Sequence, residues 1–474
     1  MNQPQRRPVP VLIHGHLYQP PREDPWSGST AAELTAAPFH DWNARITHEC
    51  YRPNTRAEVH LADGTVEMRD NYEHLSFNVA PTLAAWFEEH EPDLLRELVH
   101  ADGVQVARTG HGAAIAHPYV HAILPLCNLD DRRTLVHWGI EEFRHRFGRA
   151  PVGMWMPEIA LDLESLDALA AHGIEFTLVA PYQVLTDTRG APVRVSLPSG
   201  RTIVLLPYDG ALSSLVAFGG GLHDGVRFAE QVVADGVDRT TTGVVTDMES
   251  YGHHHQFGEM ALAVAFERWA ADDSVAVVNA AAAVAATPAV DGVAVAPSAW
   301  SCAHGIERWR SDCGCRSAGE TVHNQAWRAP LRTAFDRLRD TVRQIPRLGS
   351  DLRDPAAARD AYIGVMLDRS TWPAFCTEHA SGSAERAHTW LELQRHLLFM
   401  YSSCGWFFDD AAGHETLIVL RHARRAVELV VELGGPDLDA MMSDTLAPMY
   451  SDKHALEGRV IWRELAVRGA PALD

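Results

Sequence analysis

The chain has 474 residues and a formal net charge of −21, which argues against nucleic acids and anionic membranes as partners because both require a basic surface. Hydrophobic residues make up 46% and charged residues 22% of the sequence, so we expect a folded protein of two domains, or one barrel with an appendage. No apolar run is long enough for a membrane helix or a signal peptide, and seven cysteines without an export signal indicate a soluble cytoplasmic protein with reduced thiols.

Up to about residue 300 the chain alternates short, β-branched, apolar segments with amphipathic helical ones. The strand-like segments cover 9–16, 103–109, 151–158, 176–181, 202–208, 243–250 and 274–280. The helical segments include 81–101, 131–147, 163–173, 223–235 and 258–271. Because alternating strands and helices favour parallel pairing, the pattern predicts a parallel α/β barrel, made irregular by a hairpin over 193–208.

The pattern changes from about residue 322, where several segments carry apolar residues at helical spacing and no strong strand signal remains. The sequence therefore predicts a barrel domain over residues 1–320 and an all-helical C-terminal domain over residues 321–474. The alanine-rich segment 280–286 is interpreted as a buried helix.

Unusual polar residues stand where three of the predicted strands end. They are His14, His16, Glu158, Asp247, Glu249 and the run His253–His255. Any one of these could be a solvated loop residue. In a parallel barrel, however, the carboxyl ends of the strands surround one active site, so their joint occurrence favours catalysis.

Two carboxyl groups at such a site suit the cleavage of a glycosidic bond. One carboxylate attacks the anomeric carbon, and a second, protonated carboxyl group releases the leaving oxygen. Trp155 lies close to Glu158 in the sequence. It could stack on a sugar ring or pack as a core aromatic residue, and the sequence favours neither.

These segments resemble the motifs of glycoside hydrolase family 57. The segment His14-Gly-His16-Leu-Tyr-Gln19-Pro20 is similar to the opening motif of the family. The segments ending in Glu158 and beginning around Asp247 are similar to those that carry its nucleophile and its acid/base. Ser298-Ala-Trp300 with Trp309, and Ser403-Cys-Gly-Trp406-Phe-Phe, resemble later motifs.

The resemblance implies an incomplete parallel (β/α) barrel followed by a helical domain. It also implies a retaining enzyme of α-linked glucans, of the α-amylase, 4-α-glucanotransferase or branching type, with Glu158 as nucleophile and Asp247 as acid/base. The substrate is then an oligo- or polysaccharide, and no cofactor or metal is required. The expected substrate-binding residues are His14, His16, His111, His121, Trp155, Glu249, His253, Trp300 and Trp406.

The sequence departs from the family pattern at two motifs. The second motif, at Gly103-Val-Gln105, lacks its usual glutamate, and the nearby His111 and His121 supply histidines instead. Met248 replaces the usual glycine between the two acids. The stretches 20–26 and 302–315 resemble a poorly characterised bacterial subgroup, so the departures concern the substrate more than the chemistry.

Two other functions are compatible with these residues. A metal-dependent polysaccharide hydrolase or deacetylase would use His14, His16, Asp247 and one of His253–His255 as ligands. A non-catalytic carbohydrate-binding protein would explain the missing glutamate. Trp406 could likewise be a sugar platform or a core residue of the helical domain.

A further group, Cys302, His304, Cys313 and Cys315, contains enough ligands for a tetrahedral zinc ion. Its spacing is not that of a standard zinc motif. We therefore favour reduced thiols in a loop and expect no bound metal.

Overall fold

The computed structural model describes residues 7–61, 63–317 and 324–470. Its strands are β1 (Val9–Leu17), β2 (Ala57–His60), β3 (Val66–Arg69), β4 (Ser76–Val79), β5 (Phe176–Val179), β6 (Val193–Ser196), β7 (Thr202–Pro207), β8 (Thr242–Asp247), β9 (Val275–Val277), β10 (Val290–Gly292), β11 (Tyr450–Ser451) and β12 (Leu456–Glu457). The longer helices of the first 300 residues are α1 (Trp42–Ile46), α2 (Pro81–His90), α3 (Pro92–Thr109), α4 (Leu129–Phe147), α5 (Leu163–Ala171), α6 (Gly210–Ala217), α7 (Gly225–Gly236), α8 (Gly258–Ala270) and α9 (Ala280–Ala286).

The helices that follow are α10 (Arg328–Arg343), α11 (Pro355–Leu367), α12 (Trp372–His379), α13 (Ala384–Phe399), α14 (Cys404–Phe407), α15 (His414–Glu432), α16 (Asp439–Leu446) and α17 (Gly458–Val460). None of the helices in the described ranges has the length and apolar character needed to cross a membrane.

Strand β1 is the centre of a parallel sheet and pairs with β4, β8 and β9. From Val11 to Leu17 it is buried throughout, as a parallel strand covered on both faces should be. The register places His16 opposite Asp247 of β8. Two of the predicted polar strand ends therefore lie side by side.

Parallel pairing continues beyond this sheet through single bridges. Phe77 of β4 bridges Ala114, Ala116 bridges Met154, and Gly153 bridges Phe176 of β5. Strand β5 pairs in parallel with β7, which forms the predicted hairpin with β6. The fold is thus a mixed α/β structure in which parallel strands alternate with helices.

Most of the predicted elements are confirmed, but residues 103–109 are helical and not a strand. They form the end of α3, where Leu98, Ala101, Asp102 and Gln105 are buried at helical spacing. The β-branched residues of this segment misled the prediction. The parallel bridges are instead made by the chain around Ala114 and Ala116.

Two other boundaries differ because of prolines. The single helix predicted over 81–101 is divided between α2 and α3, with Pro92 in the first turn of α3. The strand predicted over 151–158 makes only isolated bridges at Gly153 and Met154, since Pro151 and Pro157 cannot donate to a ladder.

Within residues 324–470 the structure is mainly helical, and α13 packs against α15. It also contains one antiparallel ladder of two residues per strand, β11 with β12. The prediction of an all-helical segment missed this ladder, because two residues are too few to show an alternating pattern. Trp138 of α4 donates from its indole Nε1 to the Asp360 carbonyl of α11, at 3.0 Å, and so joins this segment to the first 300 residues.

Gly139 of α4 allows this helix to approach the chain at His117. A Cβ atom at position 139 would lie 2.0 Å from the carbonyl oxygen of His117. We expect Gly139→Ala to lower the free energy of unfolding by about 1–3 kcal/mol because backbone atoms must move. The midpoint of urea denaturation measures this change.

Gly364 of α11 supplies the matched control, since no atom lies within 4 Å of a Cβ built there. Gly364→Ala should raise the free energy of unfolding by about 0.5–1 kcal/mol, as alanine is the better helix former. Equal effects at the two positions would contradict the close approach of α4 to His117.

Candidate active site

Glu158 lies in a short turn with unusual backbone geometry. Its φ angle is 57° and that of Ile159 is 47°, both in the left-handed region that non-glycine residues rarely adopt. Strained conformations of this kind persist where the surroundings fix them, and they concentrate at functional sites. Pro157 precedes this turn and, lacking an N–H, marks the end of the extended segment.

The carboxylate of Glu158 is held by two donors from one loop. Its Oε2 accepts hydrogen bonds from Trp300 Nε1 at 3.1 Å and from the Ser301 hydroxyl at 2.5 Å. The Trp300 amide also donates to the Glu158 carbonyl, at 3.0 Å. Hydrogen bonds therefore fix Glu158 at both its backbone carbonyl and its carboxylate.

Burial raises the pKa of Glu158, which is only 8% exposed. The hydrogen bond from Ser301, the charge of Arg308, and hydrogen bonds from Trp300 and Ser403 oppose this rise. These four groups all stabilise the ionised form. Glu158 is thus a buried carboxylate with specific support for its negative charge.

Asp247, at the end of β8, has the opposite surroundings. Its side chain is accessible to water, yet protein atoms enclose it enough that desolvation raises its pKa well above the ordinary value. The charges of Glu249 and Glu158 raise it further. Glu158 has the smaller exposed surface, whereas Asp247 is crowded by acids.

Glu249 is itself placed by the segment that follows β1. Its Oε1 accepts a hydrogen bond from Gln19 Nε2 at 2.5 Å, and Arg22 Nη2 donates to Gln19 Oε1 at 3.1 Å. Burial raises the pKa of Glu249 to about 7, against the charge of Arg22 and the hydrogen bond from Gln19. A second carboxyl group beside Asp247 therefore titrates near neutral pH.

A group of histidines packs beside these acids. Asn78, at the end of β4, contacts two of them. Its Oδ1 lies 3.1 Å from His14 Nε2, and its Nδ2 lies 2.9 Å from His16 Nδ1. His16 Nε2 lies 3.2 Å from His121 Nε2, and His121 Nδ1 lies 2.7 Å from the Ser403 hydroxyl.

His117 completes this group. Its Nδ1 donates to the Pro118 carbonyl at 2.5 Å, and none of the described residues is hydrogen-bonded to its Nε2. One nitrogen from each of His16, His117 and His121 lies within 4.8 Å of the others. These atoms could accept hydrogen bonds from hydroxyl groups or hold a metal ion.

The imidazoles in this group are neutral near pH 7. Burial lowers the pKa of His14 and of His117 to about 3, and it lowers the pKa of His16 and His121 well below the ordinary value. A neutral imidazole can both donate and accept a hydrogen bond. Such groups suit neutral, hydroxyl-rich ligands.

Two predicted sugar platforms are instead buried. Trp155 is 0% exposed, with its ring stacked on His14 and His16, at centroid distances of 5.3 and 4.6 Å, and edge-on to Trp300. Trp406 is also 0% exposed and packs under the guanidinium of Arg332. The expectation that these two indoles contact the substrate is therefore corrected: both are core residues that support the site.

Two predicted histidines lie apart from the group. His111 precedes the bridging segment at Ala114, so it stands at the amino end of that segment and not beyond its carboxyl end. His253 pairs through Nδ1 with Glu49 at 2.5 Å. Among the described residues, His14, Asp247 and His253–His255 do not form a cluster of metal ligands.

Several residues of the site were not predicted from the sequence: Asn78, His117, Ser301 and Ser403. Asn78 lies near the end of β4, and His117 follows the bridge at Ala116; sequence patterns did not reveal either of these short extended segments. Ser301 and Ser403 stand within motifs in which only the tryptophans were predicted to bind substrate. Their positions beside Trp300 and Trp406 were the available signal.

Residues 13–286 match the sequence model of glycosyl hydrolase family 57, and residues 323–471 match a domain of unknown function, DUF3536. No curated protein is significantly similar to the chain in sequence.

Solved structures of similar fold include three α-glucan enzymes. An exo-type maltose-forming amylase from Pyrococcus sp. ST04 has a TM-score of 0.75 at 14% identity, over 92% of this chain and 83% of that one. A family 57 branching enzyme from Thermococcus kodakaraensis has a TM-score of 0.61 at 13% identity, over 97% of both chains. A 4-α-glucanotransferase from Thermococcus litoralis has a TM-score of 0.56 at 13% identity, over 90% of this chain and 60% of that one.

At these identities the structural likeness establishes the fold alone. The sequence match is independent of it and spans more than half of the chain, which confirms the resemblance seen in the motifs. The protein is a glycosidase-type enzyme and belongs to glycosyl hydrolase family 57.

Proposed function

We propose that this enzyme is a retaining hydrolase or transferase of α-linked glucans, in which Glu158 is the nucleophile and Asp247 the acid/base. The observation that carries the proposal is the contrast between the two carboxyl groups. Glu158 accepts hydrogen bonds that favour its anion, whereas Asp247 is crowded by acids that favour its protonated form. Environments that move the pKa values of two carboxyl groups apart in this way distinguish the nucleophile from the acid/base.

In the first step, Glu158 attacks the anomeric carbon and forms a covalent glycosyl–enzyme ester. Asp247 transfers its proton to the leaving glycosidic oxygen as that bond breaks. In the second step, Asp247 takes a proton from water or from an acceptor hydroxyl. The oxygen so activated attacks the anomeric carbon and releases the Glu158 carboxylate.

The neutral histidines provide the binding surface for the sugar in this proposal. His16 lies opposite Asp247 in the strand register and contacts His121, His14 shares Asn78 with His16, and the Glu249 charge acts on Asp247. His117 Nε2, which has no hydrogen-bond partner within the described part of the chain, adds an acceptor for a hydroxyl group. The solved enzymes of similar fold include an amylase, a branching enzyme and a glucanotransferase, which supports an α-glucan as substrate.

The proposed architecture is an incomplete barrel over residues 1–320 and a helical domain over residues 321–474. Parallel neighbours follow one another from β8 through β1 and β4 to the bridged segments, and then to β5 and β7. The Asp209 amide, just after β7, donates to the Gly243 carbonyl of β8 at 2.7 Å. This contact supports closure of the parallel strands around the site.

The metal-dependent alternative receives less support. His14 contacts Asn78, and His253 pairs with Glu49, so the ligand set expected for a deacetylase is dispersed. Maltooligosaccharide turnover that survives a chelator would exclude this alternative, and turnover on any glucan would exclude a purely carbohydrate-binding role.

Neutral isosteres of the two carboxylates test the proposed roles. We expect Glu158→Gln and Asp247→Asn each to reduce turnover of maltooligosaccharides by at least about 10³-fold, because each removes one step of the double displacement. The first product should keep the α configuration, as measured by NMR, and the two carboxyl groups should be about 5–5.5 Å apart.

Glu164→Gln provides the control, since Glu164 is an exposed glutamate in the first turn of α5. It should keep normal turnover, and the circular dichroism spectra of all three variants should match that of the wild type. Near-normal activity of either carboxylate variant would contradict the assignment.

The crowding of Asp247 predicts a shift in the pH profile. Because the Glu249 charge raises the pKa of Asp247, Glu249→Gln should let Asp247 lose its proton at lower pH. The alkaline limb of kcat/KM should then move down by about one pH unit. An unchanged limb, or one at higher pH, would show that Asp247 is not the acid; Glu164→Gln should leave the limb in place.

The same crowding predicts a stability effect that needs no substrate. An acid whose pKa is raised on folding destabilises the native state above its unfolded pKa, and the cost grows as pH rises. Asp247→Asn should therefore unfold at a higher temperature than the wild type at about pH 8, and the difference should shrink toward about pH 4.

Asp131 is a buried aspartate at which the Asn substitution should have the opposite effect on stability. Its Oδ1 accepts from Arg359 Nη1 at 2.8 Å and from Arg343 Nη2 at 3.0 Å. Asp131→Asn should lower the free energy of unfolding by about 3 kcal/mol, because it leaves the buried Arg359 without its charge partner. If Asp247→Asn also destabilised the protein, as Asp131→Asn should, the crowding of Asp247 would be contradicted.

A further inference from the structure

The loop that supplies the donors to Glu158 continues directly into a cluster of sulfur and nitrogen atoms. Cys302 follows Ser301 and is buried, while Cys313 and Cys315 are partly buried and His304 is exposed. Within this loop, one ligand atom from each of the four residues lies within 4.8 Å of the others. Residues eleven and thirteen positions from Cys302 thus return to the same point.

The separations of these atoms match a tetrahedral site. The Sγ atom of Cys302 lies 3.9 Å from that of Cys313 and 3.8 Å from that of Cys315. The Sγ atom of Cys315 lies 3.5 Å from His304 Nδ1. Zinc bonds of about 2.3 Å to sulfur and about 2.0–2.1 Å to nitrogen, at tetrahedral angles, require about 3.8 Å between sulfurs and about 3.5 Å between sulfur and nitrogen.

Disulfide bonding does not account for this arrangement. A disulfide requires an S–S distance of about 2.0 Å, whereas all three cysteines are free thiols, and the Cys302 sulfur is nearly equidistant from the other two. Three thiols around one point also leave one without a partner in any pairing. An imidazole nitrogen as the fourth member is the donor set of a structural zinc site.

The surroundings suit the charge of such a site. Zinc with three thiolates and a neutral imidazole carries one negative charge. The fully buried Arg328 donates from Nη1 to the Cys315 carbonyl at 2.9 Å, and its positive charge offsets that of the site. Gly314, at a φ of 81°, makes the tight turn between Cys313 and Cys315.

In place of the reduced thiols without metal that the sequence spacing favours, we propose that Cys302, His304, Cys313 and Cys315 bind one structural zinc ion. Four protein ligands complete the tetrahedron and leave no open position for substrate or water, so the ion holds the loop and takes no part in the reaction. The loop also bridges Ala299 to Cys302, and Arg308 donates to the Ser301 carbonyl at 3.0 Å. The zinc ion thereby fixes Trp300 and Ser301 against Glu158; only this last consequence rests on the proposed function.

Metal analysis of the full-length protein tests the site. Protein purified from zinc-supplemented cells should contain about one equivalent of zinc by mass spectrometry. Cys313→Ser combined with Cys315→Ser should lose it. Cys376→Ser, which removes a partly buried thiol of α12, should retain it as the matched control.

Cobalt reconstitution of the wild type keeps the test independent of how well the serine variant folds. Cobalt bound to three thiolates in a tetrahedron should give intense thiolate charge-transfer bands and tetrahedral d–d bands. Titration of the denatured, chelated protein should find all seven thiols free.

Three results would overturn the proposal: only traces of zinc in the wild type, full zinc retention by the double serine variant, or five free thiols, which would indicate a disulfide. Metal content and thiol counts are measured without substrate. A failed zinc site can therefore be distinguished from a failed assignment of Glu158 and Asp247, which turnover assays test.

Discussion

The hydrogen bonds from Trp300 and Ser301 to the Glu158 carboxylate are the contacts on which the arrangement of the site depends. They join a turn with left-handed backbone angles to a loop more than 140 positions later in the chain. Neither part would hold this geometry alone, because the turn is strained and the loop has little regular structure. Together they place a buried carboxylate with its charge supported and its direction fixed.

Burial gives these contacts their energetic weight. Because protein atoms enclose much of the site, charges interact there more strongly than in water, and Glu249 and Glu158 raise the pKa of Asp247 although its side chain is accessible to water. The same burial keeps the neighbouring imidazoles neutral. The lowered pKa values of the histidines and the raised pKa of Asp247 thus have the same main cause, which is enclosure by protein atoms.

The sequence predicted those features of the site that depend on local pattern. Glu158 and Asp247 follow apolar segments, and the rule that parallel strands end at one edge was enough to bring them together. Prediction from the sequence failed where three-dimensional packing decides which secondary structure a segment adopts. Residues 103–109 have strand-like composition, but burial at helical spacing places them in α3.

Aromatic residues show the same division between local pattern and packing. Trp155 and Trp406 stand in motifs beside functional residues, yet both are fully buried. Their small polar neighbours, or residues distant in sequence such as Asn78, make the contacts instead. No local pattern distinguishes a serine that reaches a carboxylate from one that meets solvent.

Ser403 shows that the site is shared between the two parts of the chain. It stands just before α14, its hydroxyl contacts His121 Nδ1 at 2.7 Å, and its amide donates to the His121 carbonyl at the same distance. It also lowers the pKa of Glu158 by hydrogen bonding. The helical segment therefore contributes directly to the electrostatics of Glu158.

The loop proposed to bind zinc is a further physical link between these parts. Arg308 from the loop and Arg328 from α10 both donate to the Phe407 carbonyl, at 2.6 and 3.4 Å. A displacement of the loop would thus move the donors to Glu158 and loosen the contacts beside Ser403 in the same event. Because both sets of contacts end on one carboxylate, rigidity of this loop and ionisation of Glu158 are properties that the fold couples.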